Sequence, residues 1–463
     1  MEMHSIWALS SEEVISIPHI LTQVAMTIGS SEAFSLQYYT ACFASLSQTG
    51  LNLALLSLGT ICLLYYLSRP LNLTTDLTGA KGDKYFKLPA KNDAMAKEHL
   101  QGRLQRKSGK SFPIYPNGWF GILESSEIGR NEVKHVTALG KNIAVFRMSD
   151  GTVQIFNTCC PHLRVNMGLE RTAKTYIECP SHGWQFDSET KKWNNIQGAK
   201  KVPDLAEVQT LRSVEMNHII FLWYHAEGEE PSYEIHPLKE ITSEGYMYVG
   251  RFECLMDAHI EDIVQNAADN AHVDFVHAPT LGLARADLDG FWKKLISFFA
   301  NLTQKTSWEP DADHPHLSWG RTEFQLELFK KITIPNGVHL AKFVGPGYIE
   351  ITTSFSMVKI YMPMCITPIG PLTVRLTGRL YARPFQILMA RPILKGYRNS
   401  FEQDAPIWNY GKPRLQLNMM KEEGALVNFR RWYSQFYSKS SPSLDCNKGK
   451  LENDSNSAQH STH

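Results

Sequence analysis

Two cysteines and two histidines alternate within a short stretch: Cys160-x-His162, sixteen residues, then Cys179-x-x-His182. A Rieske [2Fe–2S] centre takes two thiolates on one iron and two imidazoles on the other, and the imidazoles raise its reduction potential. The spacing assigns Cys160 and Cys179 to one iron and His162 and His182 to the other. Each Cys–His pair must sit on a tight loop, which Pro161 and Pro180 stiffen. Gly183 allows close backbone approach. A structural zinc site is the alternative, but it ordinarily groups two Cys and then two His rather than interleaving them. Cys159 reads as a packed neighbour of the loop.

A second constellation lies further along, Asp269-x-x-His272-x(4)-His277 within QNAADNAHVDFVHAP. Two His and one carboxylate on one face of Fe(II) leave positions open for O₂ and substrate. A five-residue step on an ideal helix turns about 140°, so the helix must be distorted or His277 must lie at its end. Pro279 favours the second choice by pushing Ala278 out of helical geometry. The carboxylate is less evident. In SFEQDAPIWNY (400–410), Asp404 is the stronger candidate by spacing and Glu402 the weaker.

These residues need elements to hold them. Around Ser149-Asp150-Gly151, the run NIAVFRMSDGTVQIF (142–156) reads as a hairpin, and short strand-like runs continue to about Tyr224. Beyond Gly-Glu-Glu-Pro (228–231), residues 260–275 carry helical spacing. LTVRLTGRLYAR (372–383) alternates as a half-buried antiparallel strand. In FWKKLISFFANL (291–302), Trp292, Leu295, Ile296 and Phe299 share a helical face, either packed on the domain or touching a bilayer.

The 463 residues allow two or three domains, and the net charge of +1 gives no reason to expect nucleic acid. Eight scattered Cys do not form a disulfide framework. Residues 1–50 contain no Lys or Arg, and residues 51–68 (LNLALLSLGTICLLYYLS) carry no charge. An eighteen-residue helix would span roughly 27 Å, enough for a bilayer core. Residues 69–110 follow with ten Lys or Arg against four acids, which orients this end toward the cytosol.

The expected fold class is α+β. An N-terminal transmembrane helix precedes a small all-β Rieske domain and then an α+β catalytic domain with an antiparallel sheet. The expected division is 1–50 lumenal segment, 51–68 transmembrane helix, 69–112 basic linker, 113–225 Rieske domain, 226–438 catalytic domain and 439–463 disordered tail.

Taken together, the paired motifs resemble the Rieske-type non-haem iron oxygenases over roughly residues 113–440. PNGWF, CPHL…CPSHGWQF, NAADNAHVDFVH, GPGY (345–348), QDAPIW and FRRWYSQFYS (429–438) are similar to the Neverland group of cholesterol 7-desaturases. That resemblance implies O₂-dependent formation of the C7–C8 double bond of cholesterol, giving 7-dehydrocholesterol. It implies Asp404 as the carboxylate ligand of a mononuclear Fe(II). It also implies a homotrimer in which Asp269 links the cluster of one subunit to the iron of the next, bonding His182 across the interface and His272 within its own chain. In this chain Arg164 follows Leu163 where the group usually has Gly, and Gln265 stands where many relatives carry Glu.

No Gly-x-Gly-x-x-Gly follows a strand, so a separate NAD(P)H-dependent reductase must supply electrons. Sterol chemistry suggests the endoplasmic reticulum membrane, with a single pass and a cytosolic catalytic part. The rival within the family is a Rieske oxygenase that hydroxylates another steroid or lipid. A rival outside it, a respiratory Rieske subunit, would carry an extra Cys in each loop, where this chain has Arg164 and Ser181.

Overall fold

The computed structural model describes residues 50–62, 65–66, 69–78, 112–158, 160, 165, 172–173, 176–187, 192–195, 210–269, 272, 276–277, 300–329, 331–410, 423–445 and 450–451. The chain forms two compact units, Met1–Arg69 and Pro70–His463. In the first, residues 50–62 and 65–66 are helical and exposed. Among the described residues no helix is long and apolar enough to cross a membrane. The eighteen-residue helix expected over 51–68 is therefore described only in these pieces.

The second unit is built on an eight-stranded sheet. Its strands are β1 (Leu71–Asp76), β2 (Met247–Met256), β3 (Ala300–Pro310), β4 (Leu317–Leu328), β5 (Ile332–Val344), β6 (Tyr348–Phe355), β7 (Val358–Gly370) and β8 (Thr373–Ala382), in the spatial order β1-β2-β8-β7-β6-β5-β4-β3. From β3 to β8 the chain runs as an antiparallel meander, each strand pairing with the next. Only β1 runs parallel to its neighbour, with Leu71 opposite Gly250. Residues 71–76 are thus an edge strand and not part of a linker. LNLTTD is too short for its alternation to stand out, and its partner lies far along the chain. Ala300–Leu302 likewise open strand β3, so the helix expected over 291–302 does not extend through them; residues 291–299 lie outside the described residues.

Two helices pack on one face of this sheet. Helix α1 (Ile387–Tyr410) stacks Phe401 on Phe252 of β2, with ring centroids 5.6 Å apart. Helix α2 (Gly424–Ser434) buries Phe429, Trp432 and Tyr433, and Trp308 of β3 meets Phe429 edge-on at 5.4 Å. Tyr433 donates to the carbonyl of Pro346 at 3.2 Å, which ties the FRRWYSQFYS segment to the GPGY turn.

A smaller group of short sheets precedes the large one. Glu132–Ala138, Lys141–Arg147 and Val153–Asn157 form successive antiparallel pairs, joined by Thr210–Leu211. Thr172–Ala173, Tyr176–Glu178, Gln185–Asp187 and Lys192–Asn195 form a second small sheet. The hairpin expected around Gly151 is present, and Asp150 accepts from both the N–H and the hydroxyl of Thr152. Buried polar ties join this part to the large sheet: Arg379 pairs with Glu124, Arg375 donates to the carbonyl of Ile122, and Asn217 donates to Tyr348. The tail expected to be disordered from 439 includes a strand at Ser443–Asp445, which pairs with Phe112–Pro113.

Candidate metal centres

The cluster loops are organised around their cysteines. Cys160 and Cys179 are each 1% exposed and share one apolar cluster with Ala144, Phe146 and Phe156, with Val165 and Trp184 packed against it. Each loop closes in the same way. The N–H of Cys160 donates to the carbonyl of Val165 at 2.9 Å, and that of Cys179 donates to the carbonyl of Trp184 at 2.8 Å. Gly183 takes a φ of +66°, a left-handed conformation that a side chain disfavours. His182 is exposed at the rim, while His162, Cys159 and Arg164 lie outside the described residues. Two buried sulfurs on matched loops, beside an exposed imidazole, suit a cluster buried on its thiolate side and reachable on its histidine side.

The second centre begins with a broken helix. Ile260–Val264 is α-helical and Gln265–Ala268 continues as a 3₁₀ turn, but Asp269 departs from helical geometry at φ −97° and ψ 89°. The helical spacing read over 260–275 is therefore interrupted at Asp269. Asp269 Oδ1 accepts the backbone N–H of His272, three residues on, at 3.0 Å, the bond an N-cap side chain makes. The bond expected between Asp269 and His272 thus runs through the backbone of His272. His272 is helical and His277 lies in a π-helical turn. Such wide turns recur at functional sites.

Asp404 comes from α1. Its Oδ1 lies 3.0 Å from Nε2 of His272 and 3.2 Å from Nε2 of His277, and the donor atoms of all three residues fall within 4.8 Å of one another. Asp404 is 2% exposed, yet Oδ1 accepts no hydrogen bond of proper geometry. A buried carboxylate oxygen without a hydrogen bond is costly. Three ligand atoms gathered this closely are the arrangement a 2-His-1-carboxylate metal would satisfy. Burial pushes the Asp404 carboxyl upward, but the two flanking imidazoles outweigh it and hold the group below its ordinary range. For His277 burial acts downward, and the neighbouring Asp404 carboxylate overcomes it, so the imidazole is raised.

Glu402 goes elsewhere. It pairs with Arg398 at 3.2 Å and accepts from Thr75 at 3.2 Å, fastening α1 to edge strand β1. Two residues that spacing did not single out support the site. Gln403 Oε1 meets Nδ1 of His277 at 3.1 Å, and Asn266 Nδ2 lies 3.1 Å from Nε2 of His272 and 3.4 Å from Oδ2 of Asp404. Gln403 stands beside Asp404 in QDAPIW, so its place next to the carboxylate was the available signal. Gln265 accepts from Arg430 of α2 at 3.1 Å.

Two families of known domains match the chain. The Rieske [2Fe-2S] domain family matches residues 118–210, and the 3-ketosteroid 9alpha-hydroxylase C-terminal domain matches residues 222–437. The chain is 35% identical to cholesterol 7-desaturase nvd of Xenopus laevis, over 82% of this chain and 83% of that protein. It is 32% identical to cholesterol 7-desaturase nvd 1 of Ciona intestinalis, over 74% and 73%. In fold it is similar to dicamba monooxygenase bound to dicamba, with a TM-score of 0.53 at 15% identity over 70% of this chain and 98% of that one.

Proposed function

The chain belongs to the Neverland group of Rieske oxygenases, the cholesterol 7-desaturases, and on that premise we propose that it converts cholesterol to 7-dehydrocholesterol. It is an oxidoreductase. In the reaction one hydrogen leaves C7 and one leaves C8. With two electrons and two protons supplied through a separate NAD(P)H-dependent reductase, O₂ leaves as two molecules of water. The observation that carries this reading is the convergence of His272, His277 and Asp404 in a chain that also carries a Rieske domain.

Cys160, His162, Cys179 and His182 would hold the [2Fe–2S] cluster, and His272, His277 and Asp404 the mononuclear iron. When bound, these groups supply one-electron transfer and O₂ activation. The protein contributes orientation and dryness. Gln403 accepts from Nδ1–H of His277, which leaves Nε2 as the lone-pair donor. Burial of Asp404 excludes water from the carboxylate side.

Residues 51–68 would anchor the chain in the endoplasmic reticulum membrane, with the catalytic part in the cytosol. Their freedom from charge and the basic stretch after them support this. Residues 113–225 and 226–438 act as the electron-transfer and catalytic domains. In a homotrimer, Asp269 of one subunit would face His182 of the next, and the exposure of His182 supports that contact.

A sterol profile tests the reading. Cells that cannot otherwise make 7-dehydrocholesterol would express the chain, receive labelled cholesterol and be read by mass spectrometry beside an Asp404→Ala control. Labelled 7-dehydrocholesterol from the intact chain alone is expected. A hydroxylated sterol would instead favour the second reading, steroid hydroxylation, which the match to a 3-ketosteroid 9alpha-hydroxylase domain supports.

A further inference from the structure

One row of the catalytic sheet is polar where its surroundings are apolar. Thr306, Thr322, His339 and Thr353 stand in register on β3, β4, β5 and β6, on the sheet face that carries the helices. Tyr397 of α1 completes the group. Its hydroxyl lies 2.8 Å from Nδ1 of His339, and Thr353 Oγ1 lies 3.0 Å from that nitrogen and 3.2 Å from the tyrosine hydroxyl. The hydroxyls of Thr306 and Thr322 are 3.0 Å apart.

Burial drives the His339 imidazole down to about 4, so the ring is neutral near pH 7. In the tautomer in which Nδ1 accepts from Tyr397, the ring proton resides on Nε2. Among the described residues Nε2 of His339 has no hydrogen-bond partner. Thr306, Thr322, His339 and Tyr397 are all half-buried. The next row, Trp308, Gly320, Ala341, Ile351 and Met362, has its smallest side chains beside the polar group. The atoms nearest to a Cβ built at Gly320 belong to Phe343 and Ala341 of its own sheet, at 3.5 Å and beyond, which is ordinary contact distance.

Tyr397 and Asp404 are seven residues apart on α1. That is nearly two full turns, so they share a side at an axial separation of about 10 Å.

We infer that His339, Thr353 and Tyr397 form the hydroxyl-recognition end of the substrate pocket, Nε2–H of His339 donating to the single oxygen of an otherwise apolar ring system. This rests on the sterol reading above. In cholesterol the 3-oxygen lies roughly 6 Å from C7 at ordinary bond lengths. That is shorter than the roughly 10 Å between Tyr397 and Asp404 along α1, so a sterol lying along the helix with its oxygen at the polar row would extend C7 toward the Asp404 end. The Thr353 and Tyr397 oxygens retain lone pairs to accept the sterol's own hydroxyl proton. A site built to hydrogen-bond a hydroxyl discriminates strongly against the analogue that lacks it.

The test measures equilibrium binding of cholesterol and of 5-cholestene, the same skeleton without the 3-oxygen, to the detergent-solubilised full-length enzyme. Wild type should prefer cholesterol by about tenfold or more. His339→Phe should weaken cholesterol by about tenfold and leave 5-cholestene unchanged, with iron content and cluster absorption intact. Tyr397→Phe, a smaller change, should move affinity in the same direction and covers the case in which His339→Phe does not fold. Equal wild-type affinity for both probes, or variants that keep the preference, would overturn the inference while leaving the substrate reading in place. Failure of wild type to bind either probe would overturn both.

Discussion

Gln403 and Asp404, neighbours on α1, hold opposite edges of one imidazole: Gln403 Oε1 meets Nδ1 of His277 at 3.1 Å and Asp404 Oδ1 meets Nε2 at 3.2 Å. The carboxamide thereby sets the tautomer, and the carboxylate lies beside Nε2. Gln403→Leu should weaken iron binding at this centre by about 10–100-fold, the usual cost of losing such an outer partner. Iron titration of the apo-centre measures it, with the cluster's visible absorption unchanged. An unaltered affinity would show that Gln403 does not orient the ring.

Asp404→Ala should reduce the iron content to that of the cluster alone and abolish turnover. Glu402→Gln makes the contrast, because Glu402 serves Arg398 and Thr75 and not the histidines. It should keep its iron and lose about 1–3 kcal/mol of stability. Metal analysis beside urea unfolding separates the two outcomes, and loss of iron from the Glu402 variant would contradict the assignment.

Asp269 has two separable duties. As an N-cap for the segment bearing His272, its replacement by Ala should cost about 1 kcal/mol, whereas Asn, itself a good cap, should cost little. If Asp269 also carries electrons between subunits, Asp269→Asn should retain both metal centres and stability while cluster re-oxidation slows sharply in single-turnover experiments. Normal re-oxidation would leave Asp269 only the capping role.

The neutral state of His339 gives a pH dependence with a definite sign. Its folded pKa, about 4, lies below the ordinary 6.5, so the unfolded chain binds a proton first as pH falls. Stability is unaffected by this group above about pH 6.5 and declines between 6.5 and about 4, by up to about 3 kcal/mol for a shift of this size. Measured by urea midpoints, wild type should lose stability relative to His339→Phe as pH falls from 7.5 toward 4. Parallel curves across that window would refute the argument.

Gly345 turns the chain between β5 and β6 with a φ of +69°, and a Cβ there would collide with the hydroxyl of Tyr233. Gly345→Ala should lose about 2–3 kcal/mol from backbone strain and steric conflict. Thermal unfolding checks this, and a wild-type midpoint would mean that the turn relaxes freely.

Local chemistry was legible along the chain because short spacings leave little freedom. A Cys and a His separated by one or two residues must share a loop, so both cluster motifs could be read without a fold. The five-residue step from His272 to His277 likewise announced a departure from a regular helix, which the π-helical turn supplies. Long-range placement was a different matter. Spacing left Asp404 and Glu402 both open, and only the packing of α1 against β1 and β2 turned one toward the histidines and the other toward Arg398. Edge strand β1 was hidden because six residues carry too weak an alternation and their partner lies in β2. The polar row from Thr306 to Thr353 has no sequence motif at all, since its members sit on four strands and meet only through sheet register. The sequence by itself determined which metals the chain is equipped to hold, because ligand type and short spacing are covalent properties. Which carboxylate joins the histidines, and what else lines their pocket, depended on contacts across separations such as the 126 residues between His277 and Gln403, and those exist only once the sheet and its helices pack.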